Sequence, residues 1–405
     1  MRFYNSADIP ANLAEESFAA NLLRLNPRGK AQLFGLSGLA HTRTFSAIKH
    51  AWWTKKSKFP QVTVSTGGGG AASVTTLTVN VVATNTDDNI TFIIPNTILR
   101  LQKISGASVL VEHMLVTSVN HTTGELTVVR GFGGTTPMAV ADADVLIAVG
   151  NAFGQGSDAP SPVSILPTMY DNNTQIFRNA WGNSRTLAEI EMRAGGGATA
   201  ENKLDAMFFH GAAIEEQLLF GRKDVSVDQH GAPLTTMGGL EQIIGDLAPQ
   251  NISVAGATTT FDQLESMLDP LLDYQVDGST KAELNMYVGK TALKAINQIG
   301  KLEGSYQVTQ NETSFGQRFM NFRTTRGEFN LIEHPLLNTN ATWAKMAFIV
   351  DTAALDIMYL HKTSHDDIKG SGKDAEAGVY TTELTLELQN PFSCGVIHNL
   401  TEGAK

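Results

Sequence analysis

Residues 199–221 read TAENKLDAMFFHGAAIEEQLLFG, and any fold for this chain must accommodate them. Apolar residues recur at steps of three and four, the spacing of one face of an amphipathic helix. The predicted buried stripe consists of Leu204, Met207, Phe208, Gly211, Ile214 and Leu218. The other face is predicted to meet solvent or a polar partner, and carries Glu201, Lys203, Asp205, Glu215, Glu216 and Gln217. Gly221 supplies the stop signal, and a helix of this length spans about 30 Å.

The bulk composition limits the possible classes of protein. With 405 residues, the chain is expected to form two or three domains. A net charge of −10 argues against a general nucleic-acid binder, which usually carries a basic face. The single cysteine, Cys394, excludes an internal disulfide framework and a cysteine-built metal site, and we expect it to be buried and inert. Because the first ten residues are polar and no long apolar run exists, we expect a soluble, intracellularly made protein without a membrane span.

Residues 1–60 are interpreted as an arm. A short amphipathic helix is predicted on Leu13, Phe18, Leu22, Leu23 and Leu25, ending at the Asn-Pro pair at 26–27. The segment at 50–60 then combines Trp52 and Trp53 with Lys55 and Lys56. Tryptophans among lysines can stack nucleic-acid bases, or they can anchor a contact with another subunit. The acidic net charge favours the subunit contact.

Residues 71–150 are predicted to form a separate small β-barrel or sandwich. Leu77, Val79 and Val81 alternate with polar residues, the period of a strand. The glycines at 67–70 form a flexible joint, so the module is expected to be inserted at a loop tip. The glycine-rich stretch 130–137 follows a hairpin and opens no helix, which argues against a phosphate cradle.

The second half of the chain is a mixture of short helices and strands. Residues 175–193, which include Arg178, Trp181 and Arg185, are predicted to be extended, and Thr260 is predicted to cap a helix. Alternation at 379–389 predicts the clearest strand of the chain.

Two local patterns suggest a site but do not complete one. The tripeptide Gly-Lys-Thr at 289–291 lacks the glycine that a P-loop needs at position 284, where the chain has leucine. His361, His365, Asp366 and Asp367 have helical metal-site spacing, but their surroundings predict a solvated loop.

Taken in order, these parts resemble the major capsid proteins of tailed bacteriophages with the Hong Kong 97 fold. The resemblance covers nearly the whole chain and rests on several stretches together. They are the Leu-Asn-Pro and Trp-Trp of the arm, 150–160 (GNAFGQGSDAP), 175–178 (QIFR), 218–223 (LLFGRK), 236–240 (TMGGL), 348–355 (FIVDTAAL) and 383–391 (ELTLELQNP).

The resemblance implies an α+β, Hong Kong 97-like capsid fold with an all-β insertion in its extended loop. The implied parts are an N-terminal arm (1–60), an extended loop (61–198, with 71–150 inserted), a peripheral domain (199–232 and 376–405) and an axial domain (233–375). The helix at 199–221 would be the spine of the peripheral domain.

The resemblance also implies a function and partners. The chain would self-assemble as hexamers and pentamers into the icosahedral head shell of a virion, around double-stranded DNA bound without sequence specificity. It would be made in the host bacterial cytoplasm, with a portal protein and a separate scaffolding protein as partners. No catalytic residue, cofactor or metal is implied, and no cross-link either, since no lysine lies between Lys103 and Lys203. The expected inter-subunit contacts are Trp52, Trp53, Lys55, Lys56, Arg178, Trp181 and Arg185.

Three other functions were weighed. An encapsulin-like compartment shares the fold but is disfavoured by the β-decorated loop and the phage-like arm. A β-rich surface or adhesion protein, with 71–150 as its binding module, is disfavoured by the missing secretion signal. An enzyme is disfavoured because no triad, P-loop or zinc spacing is found.

Overall fold

The computed structural model describes residues 35–56, 60–80, 90–164, 166–190, 197–256, 259–274, 283–302, 309–314, 317–324, 326–368 and 374–401. The chain forms two compact units, one made of Met1–Thr54 with Met169–Lys405 and the other of Lys55–Thr168. The predicted arm helix on Leu13–Leu25 lies outside the described residues.

The helices are α1 (Gly35–Leu39), α2 (Arg185–Glu189), α3 (Ala198–Phe220), α4 (Leu240–Leu247), α5 (Phe261–Leu268) and α6 (Lys290–Leu302). The strands are β1 (His41–Thr44), β2 (Lys49–Thr54), β3 (Gln61–Thr63), β4 (Thr76–Thr78), β5 (Thr97–Ser105), β6 (Ser108–Asn120), β7 (Glu125–Val129), β8 (Val145–Asn151), β9 (Thr168–Asn173), β10 (Gln175–Ser184), β11 (Asp224–Val227), β12 (Pro233–Thr236), β13 (Ile252–Val254), β14 (Glu283–Val288), β15 (Thr309–Ser314), β16 (Gln317–Arg323), β17 (Glu328–Glu333), β18 (Ala347–Val350), β19 (Leu355–Ile368), β20 (Ala375–Leu388) and β21 (Gly395–His398).

The centre of the first unit is a mixed sheet that is buried on both faces. Within the described residues its strand order is β13-β21-β18-β14-β17-β16-β15. Alternation along β18 sends Phe348 and Val350 to one apolar cluster and Ala347 and Ile349 to the other. Helices α3 and α4 contribute to the first cluster, and α5 and α6 to the second. This two-sided burial explains why β18, with the sequence Ala-Phe-Ile-Val, is apolar without interruption.

A second sheet of the first unit has the order β1-β19-β20-β10. Strand β20 pairs antiparallel with the whole of β10, from Gln175 to Ser184, and β19 with β20 form a long hairpin. Leu384, Leu386 and Leu388 of β20 join the same apolar cluster as the end of α3. The strand predicted at 379–389 is confirmed.

The long helix predicted at 199–221 is confirmed as α3, but it buries a different face. Leu204 and Met207, at the start of the predicted stripe, are 43% and 57% exposed. The buried residues are Ala206, His210, Ile214, Glu215, Leu218 and Leu219. The N-terminal part of α3 lies against β10, where Asn183 contacts Thr199 and Asn202, and Asn179 contacts His210. These polar contacts select the polar side of the helix. The apolar stripe is therefore buried only at its C-terminal end.

Glu215 was predicted to lie on the wet face of this helix, and that prediction is wrong. Its side chain is fully buried, and its two oxygens accept the backbone N–H groups of Leu36 (2.7 Å) and Ser37 (3.2 Å). His334 Nε2 lies 3.2 Å from Oε1 of Glu215. Helical periodicity does not reveal such a partner, because α1 is far from α3 in sequence.

Protonation of His210 is expected to destabilise the first unit at acidic pH. Its ring is 2% exposed and lies between Asn179 Oδ1 (2.9 Å) and Thr382 Oγ1 (2.7 Å), and burial lowers its pKa from the ordinary 6.5. Since the unfolded chain then binds the proton more readily, this stability is present above about pH 6.5 and is lost as the pH falls. Thermal unfolding between about pH 8 and pH 5 should show the loss. In His210→Gln that part of the pH dependence should disappear; an unchanged profile would contradict the assignment.

The loop predicted at 361–378 is wrong at both ends, because residues 361–368 belong to β19 and residues 375–378 belong to β20. Strand β19 continues to Ile368, so His361 and His365 lie in a strand paired with β20. The polar composition that suggested a loop instead reflects exposure, since every residue from 361 to 368 is exposed. A metal site on a helix is excluded there, because strand geometry separates the four side chains between two faces.

Two local predictions of the second half are confirmed. Thr260 caps α5 in a capping box with Gln263, each side chain bonding the other's backbone N–H. Cys394 is fully buried, and burial raises the pKa of its thiol to about 12. A thiol held neutral in this way is a poor nucleophile. Residues 175–193 are extended only as far as Ser184, where a short helix, α2, begins with Ser184 as its cap.

The second unit contains a closed sheet. Within the described residues the strand order is β3-β8-β5-β6-β7-β4, and a bridge between Val64 and Val79 joins the two outer strands. The enclosed core includes Leu99, Met114 and Leu126, all fully buried. Strand β3 lies ahead of residue 71, so the sheet takes in more of the chain than the predicted module at 71–150.

Candidate assembly surfaces

The adjacent tryptophans lie on opposite faces of β2. Because side chains alternate along a strand, Trp52 points inward and is 6% exposed, whereas Trp53 is 65% exposed. The structure thus divides the predicted pair into one core residue and one surface residue.

Trp52 lines a cavity of about 220 Å³ in the first unit. Its indole stacks on His50 at a ring distance of 6.0 Å and lies 6.4 Å from Tyr170, whose pKa is raised by burial. Apolar and charged side chains share the wall, including Ile243 and Lys223. Because its ring is packed in this way, Trp52 holds β2 in place and so supports the exposed position of Trp53. Trp52 itself has little exposed surface for a contact with another subunit.

The two lysines predicted with the tryptophans belong to the other compact unit. Lys55 is exposed and Lys56 is half-buried. The basic-aromatic segment is therefore divided between the two units.

Trp181 and Arg178 lie on opposite faces of β10. Trp181 is 7% exposed; its Nε1 donates to His365 Nε2 at 2.8 Å, and Lys203 Nζ lies 4.5 Å above its ring. Arg178 lies on the opposite, exposed face of the strand, next to Ile176, which is 57% exposed.

Arg185 is the first residue of α2 and lies at the surface. Its Nε is 3.1 Å from Oδ1 of Asp374, and both side chains are largely exposed. Such a pair stabilises little, typically well under 1 kcal/mol. Both charged groups therefore stay available to a partner, while Trp181 is explained by packing within the chain.

An exposed apolar hairpin was missed by the sequence reasoning. Strands β11 and β12 pair with each other, and Val225 and Val227 are each 67% exposed. The turn is well ordered by Asp228, whose Oδ1 accepts the backbone N–H groups of His230 (2.8 Å) and Ala232 (2.9 Å). The short Val-Ser-Val alternation was its only sequence signal. A rigid turn that presents valines to solvent is suited to contact with another molecule.

The described residues offer no obvious chemical centre. No group of three or more His, Cys, Asp or Glu among them is arranged to hold a metal ion. The Gly-Lys-Thr tripeptide joins β14 to α6, and a Cβ on Gly289 would lie 2.6 Å from the Ala344 backbone, so packing explains the glycine. No helix in the described ranges is long and apolar enough to cross a bilayer.

Comparison with protein families identifies the chain. The model of the SU10 major capsid protein family matches residues 3–401. The chain belongs to this family. As a major capsid protein, it is a structural component of the virion shell and associates with copies of itself in capsomers. Its mixed α+β architecture and its family agree with the Hong Kong 97-like class predicted from the sequence.

Individual relatives extend the comparison. A curated major capsid protein of Pseudomonas phage PaMx41 is 29% identical over 416 residues, which cover 98% of this chain and 95% of that protein. Among solved structures, the capsid of a native GTA particle (8% identity, 98% of each chain) and Mycobacterium phage Cain (9% identity, 100% of each chain) both give a TM-score of 0.48. The SrpI encapsulin complex of Synechococcus elongatus PCC 7942 gives the same TM-score at 11% identity, over 100% of this chain and 99% of that one. At these TM-scores the likeness alone assigns neither fold nor function.

Proposed function

We propose that this capsid protein builds a closed icosahedral head from hexamers and pentamers around double-stranded DNA, and that its role is mechanical, without catalysis. The observation that carries the proposal is the family match over residues 3–401. Exposed apolar side chains on the first unit, among them Trp53 and Val225, support it, because they offer area for contact between copies.

We assign the parts of the chain as the sequence predicted. Residues 1–60 act as the arm and 61–198 as the extended loop carrying the all-β module. The peripheral domain combines 199–232 with 376–405, and 233–375 form the axial domain. The packing of β20 on α3, with His210 Nε2 lying 2.7 Å from Thr382 Oγ1, supports a peripheral domain built from distant parts of the chain.

An acidic subunit is compatible with a shell around DNA. Packaged DNA carries its own counterions and needs few phosphate contacts with the wall, so a net charge of −10 is no obstacle. Portal and scaffolding proteins, and synthesis in the bacterial cytoplasm, remain predictions of this assignment. An encapsulin-like compartment and an adhesion protein are not favoured, because the capsid family accounts for nearly the whole chain.

Electron microscopy with sedimentation tests the proposal. The protein should form closed angular shells, or five- and six-fold capsomers, when produced alone or with its genomic neighbours. A monodisperse monomer or small dimer in both preparations would refute the shell.

Truncation of Trp53 is expected to impair assembly without unfolding the subunit. An exposed tryptophan at a subunit contact typically contributes about 2 kcal/mol or more, so Trp53→Ala should weaken each contact roughly 30-fold. The yield of shells by sedimentation measures the loss, and the melting temperature of unassembled protein should stay at the parent value. Trp53→Phe, which keeps an aromatic ring, serves as the matched control and should still assemble. Normal yield from Trp53→Ala would remove this residue from the contact.

A further inference from the structure

Residues 35–54, here called the strap, run from α1 through β1 to the end of β2. The strap follows residues 1–34 in the chain and continues into the second compact unit at Lys55. It contains His41, Arg43, Lys49 and His50 but no aspartate or glutamate. It is thus a purely basic segment in an acidic protein.

The strap is anchored by apolar side chains only near its ends. Leu36 is fully buried and Trp52 is 6% exposed. None of residues 41–51, all of which are described, is buried. Backbone hydrogen bonds hold the middle, through the parallel pairing of β1 with β19 and a bond from Thr174 N to Ile48 O at 3.0 Å. Side-chain charges are the other attachment.

Each basic side chain of the strap faces a carboxylate of the rest of the first unit, which we call the body. Lys49 Nζ lies 2.9 Å from Asp171 Oδ2, and His50 Nε2 lies 2.7 Å from Glu387 Oε2. Hydrogen bonds from Lys223 and from Lys49 hold the pKa of Asp171 below its ordinary value, so this carboxylate stays charged at neutral pH.

Asp356 faces two basic groups of the strap. Arg43 Nη2 lies 3.4 Å from its Oδ2, and His41 Nδ1 lies 3.7 Å from its Oδ1. Within the body, Gln389 donates hydrogen bonds to both carboxylates: its Nε2 is 3.4 Å from Asp356 Oδ2 and 3.0 Å from Glu387 Oε1.

Without the strap, the positions of the body carboxylates would be electrostatically unfavourable. Asp356 and Glu387 are 2% and 6% exposed, and they are direct partners across the β19–β20 ladder. Like charges opposite one another destabilise a sheet, and a buried carboxylate needs a counter-charge. Arg43 supplies a counter-charge from the strap, and ring nitrogens of His41 and His50 lie 3.7 Å and 2.7 Å from the two carboxylates.

We propose that the strap is fastened electrostatically to an acidic track formed by Asp171, Glu215, Asp356 and Glu387, and that it detaches locally while the body stays folded. Glu215 completes the track by accepting the two backbone N–H groups of α1 described above. The side chains of His41, Arg43 and Lys49 are more than half exposed, so salt screens their contacts, and segments with few buried apolar contacts open first.

Hydrogen exchange on the full, unassembled chain tests this. The variant with His41→Gln, Arg43→Gln and Lys49→Gln removes two positive charges and one imidazole from side chains that are 64%, 61% and 58% exposed, so the core is untouched. Amides of residues 41–54 should then exchange about tenfold faster, the combined effect of several weak pairs. Amides of β14 and β18 should keep their parent rates.

Further variants and a change of salt concentration test the proposal independently. Glu387→Gln removes a charge from the track and should accelerate the same amides. Salt at about 1 M, where the Debye length is about 3 Å, should do so in the parent. Arg185→Gln, which breaks an exposed ion pair with Asp374 away from the strap, should leave residues 41–54 unchanged. Parent rates in the triple variant, or exchange of strap and β14 together in one step, would overturn the proposal.

Discussion

Arg130→Ala is expected to cost the second unit about 3–5 kcal/mol of its free energy of unfolding, since it leaves a buried carboxylate without its partner. Arg130 Nε and Nη2 donate to the two oxygens of Glu112 at 2.7 and 2.8 Å, and the side chains are 5% and 0% exposed. Glu112 also accepts the backbone N–H groups of Met138 (2.8 Å) and Gly131 (3.2 Å). Burial by itself would raise the pKa of Glu112, but these hydrogen bonds together hold it below its ordinary value. The pair fixes the glycine-rich stretch 130–137 against β6.

Exchange of the amides of β5 and β6 in the full chain measures the loss, with α3 as an internal reference. A double variant, Glu112→Gln with Arg130→Met, removes both charges and keeps most of the volume. It should recover part of the stability, because an intact buried ion pair contributes much less to stability than is lost when only one partner is removed. If Arg130→Ala left the exchange of β5 and β6 unchanged, the pair would not be holding this unit together.

Phe348→Ala is expected to destabilise the first unit by about 3–5 kcal/mol, the usual cost of emptying a large buried aromatic site. Phe348 is fully buried in β18, and its ring meets that of Phe220, the last residue of α3, edge-on at 5.4 Å. Phe220 stacks in turn on Trp343 at 4.4 Å. These three rings attach the end of the long helix to the central sheet.

Urea unfolding followed by the near-ultraviolet signal of the aromatic residues measures this change. Phe348→Leu, which leaves a smaller cavity, is the matched control and should cost roughly a third to a half as much. A loss below about 1 kcal/mol for Phe348→Ala would mean that the surrounding sheet collapses into the vacated space.

The local elements were predicted well because their signals are local. The period of three and four at 199–221, the Thr260 cap and the alternation at 379–389 each depend on residues within a few positions of one another. The same holds for the failed P-loop pattern at 289–291. The resemblance to phage capsid proteins, and the α+β class that it implied, rested on motifs spread over the chain, and the family match over residues 3–401 agrees with it.

The candidate contacts were predicted less well, because exposure depends on partners distant in sequence. Sequence reasoning treated Trp52 and Trp53 alike, although β2 places one inside and one outside. Trp181 was grouped with Arg178 and Arg185, although it packs against His365. The hairpin that exposes Val225 and Val227 had too short a pattern to be noticed.

By itself, the sequence determined the long helix, the Thr260 cap and the strand at 379–389, that the chain is acidic with one inert thiol, and that it resembles phage capsid proteins. Only the tertiary structure decided which faces are buried. The apolar stripe of α3 was expected inside, yet Leu204 and Met207 are exposed and Glu215 is buried. The reason is that a helix buries the face whose polar groups can form hydrogen bonds with the neighbouring elements. Here those neighbours, β10 and α1, come from elsewhere in the chain and offer polar groups that no local periodicity encodes.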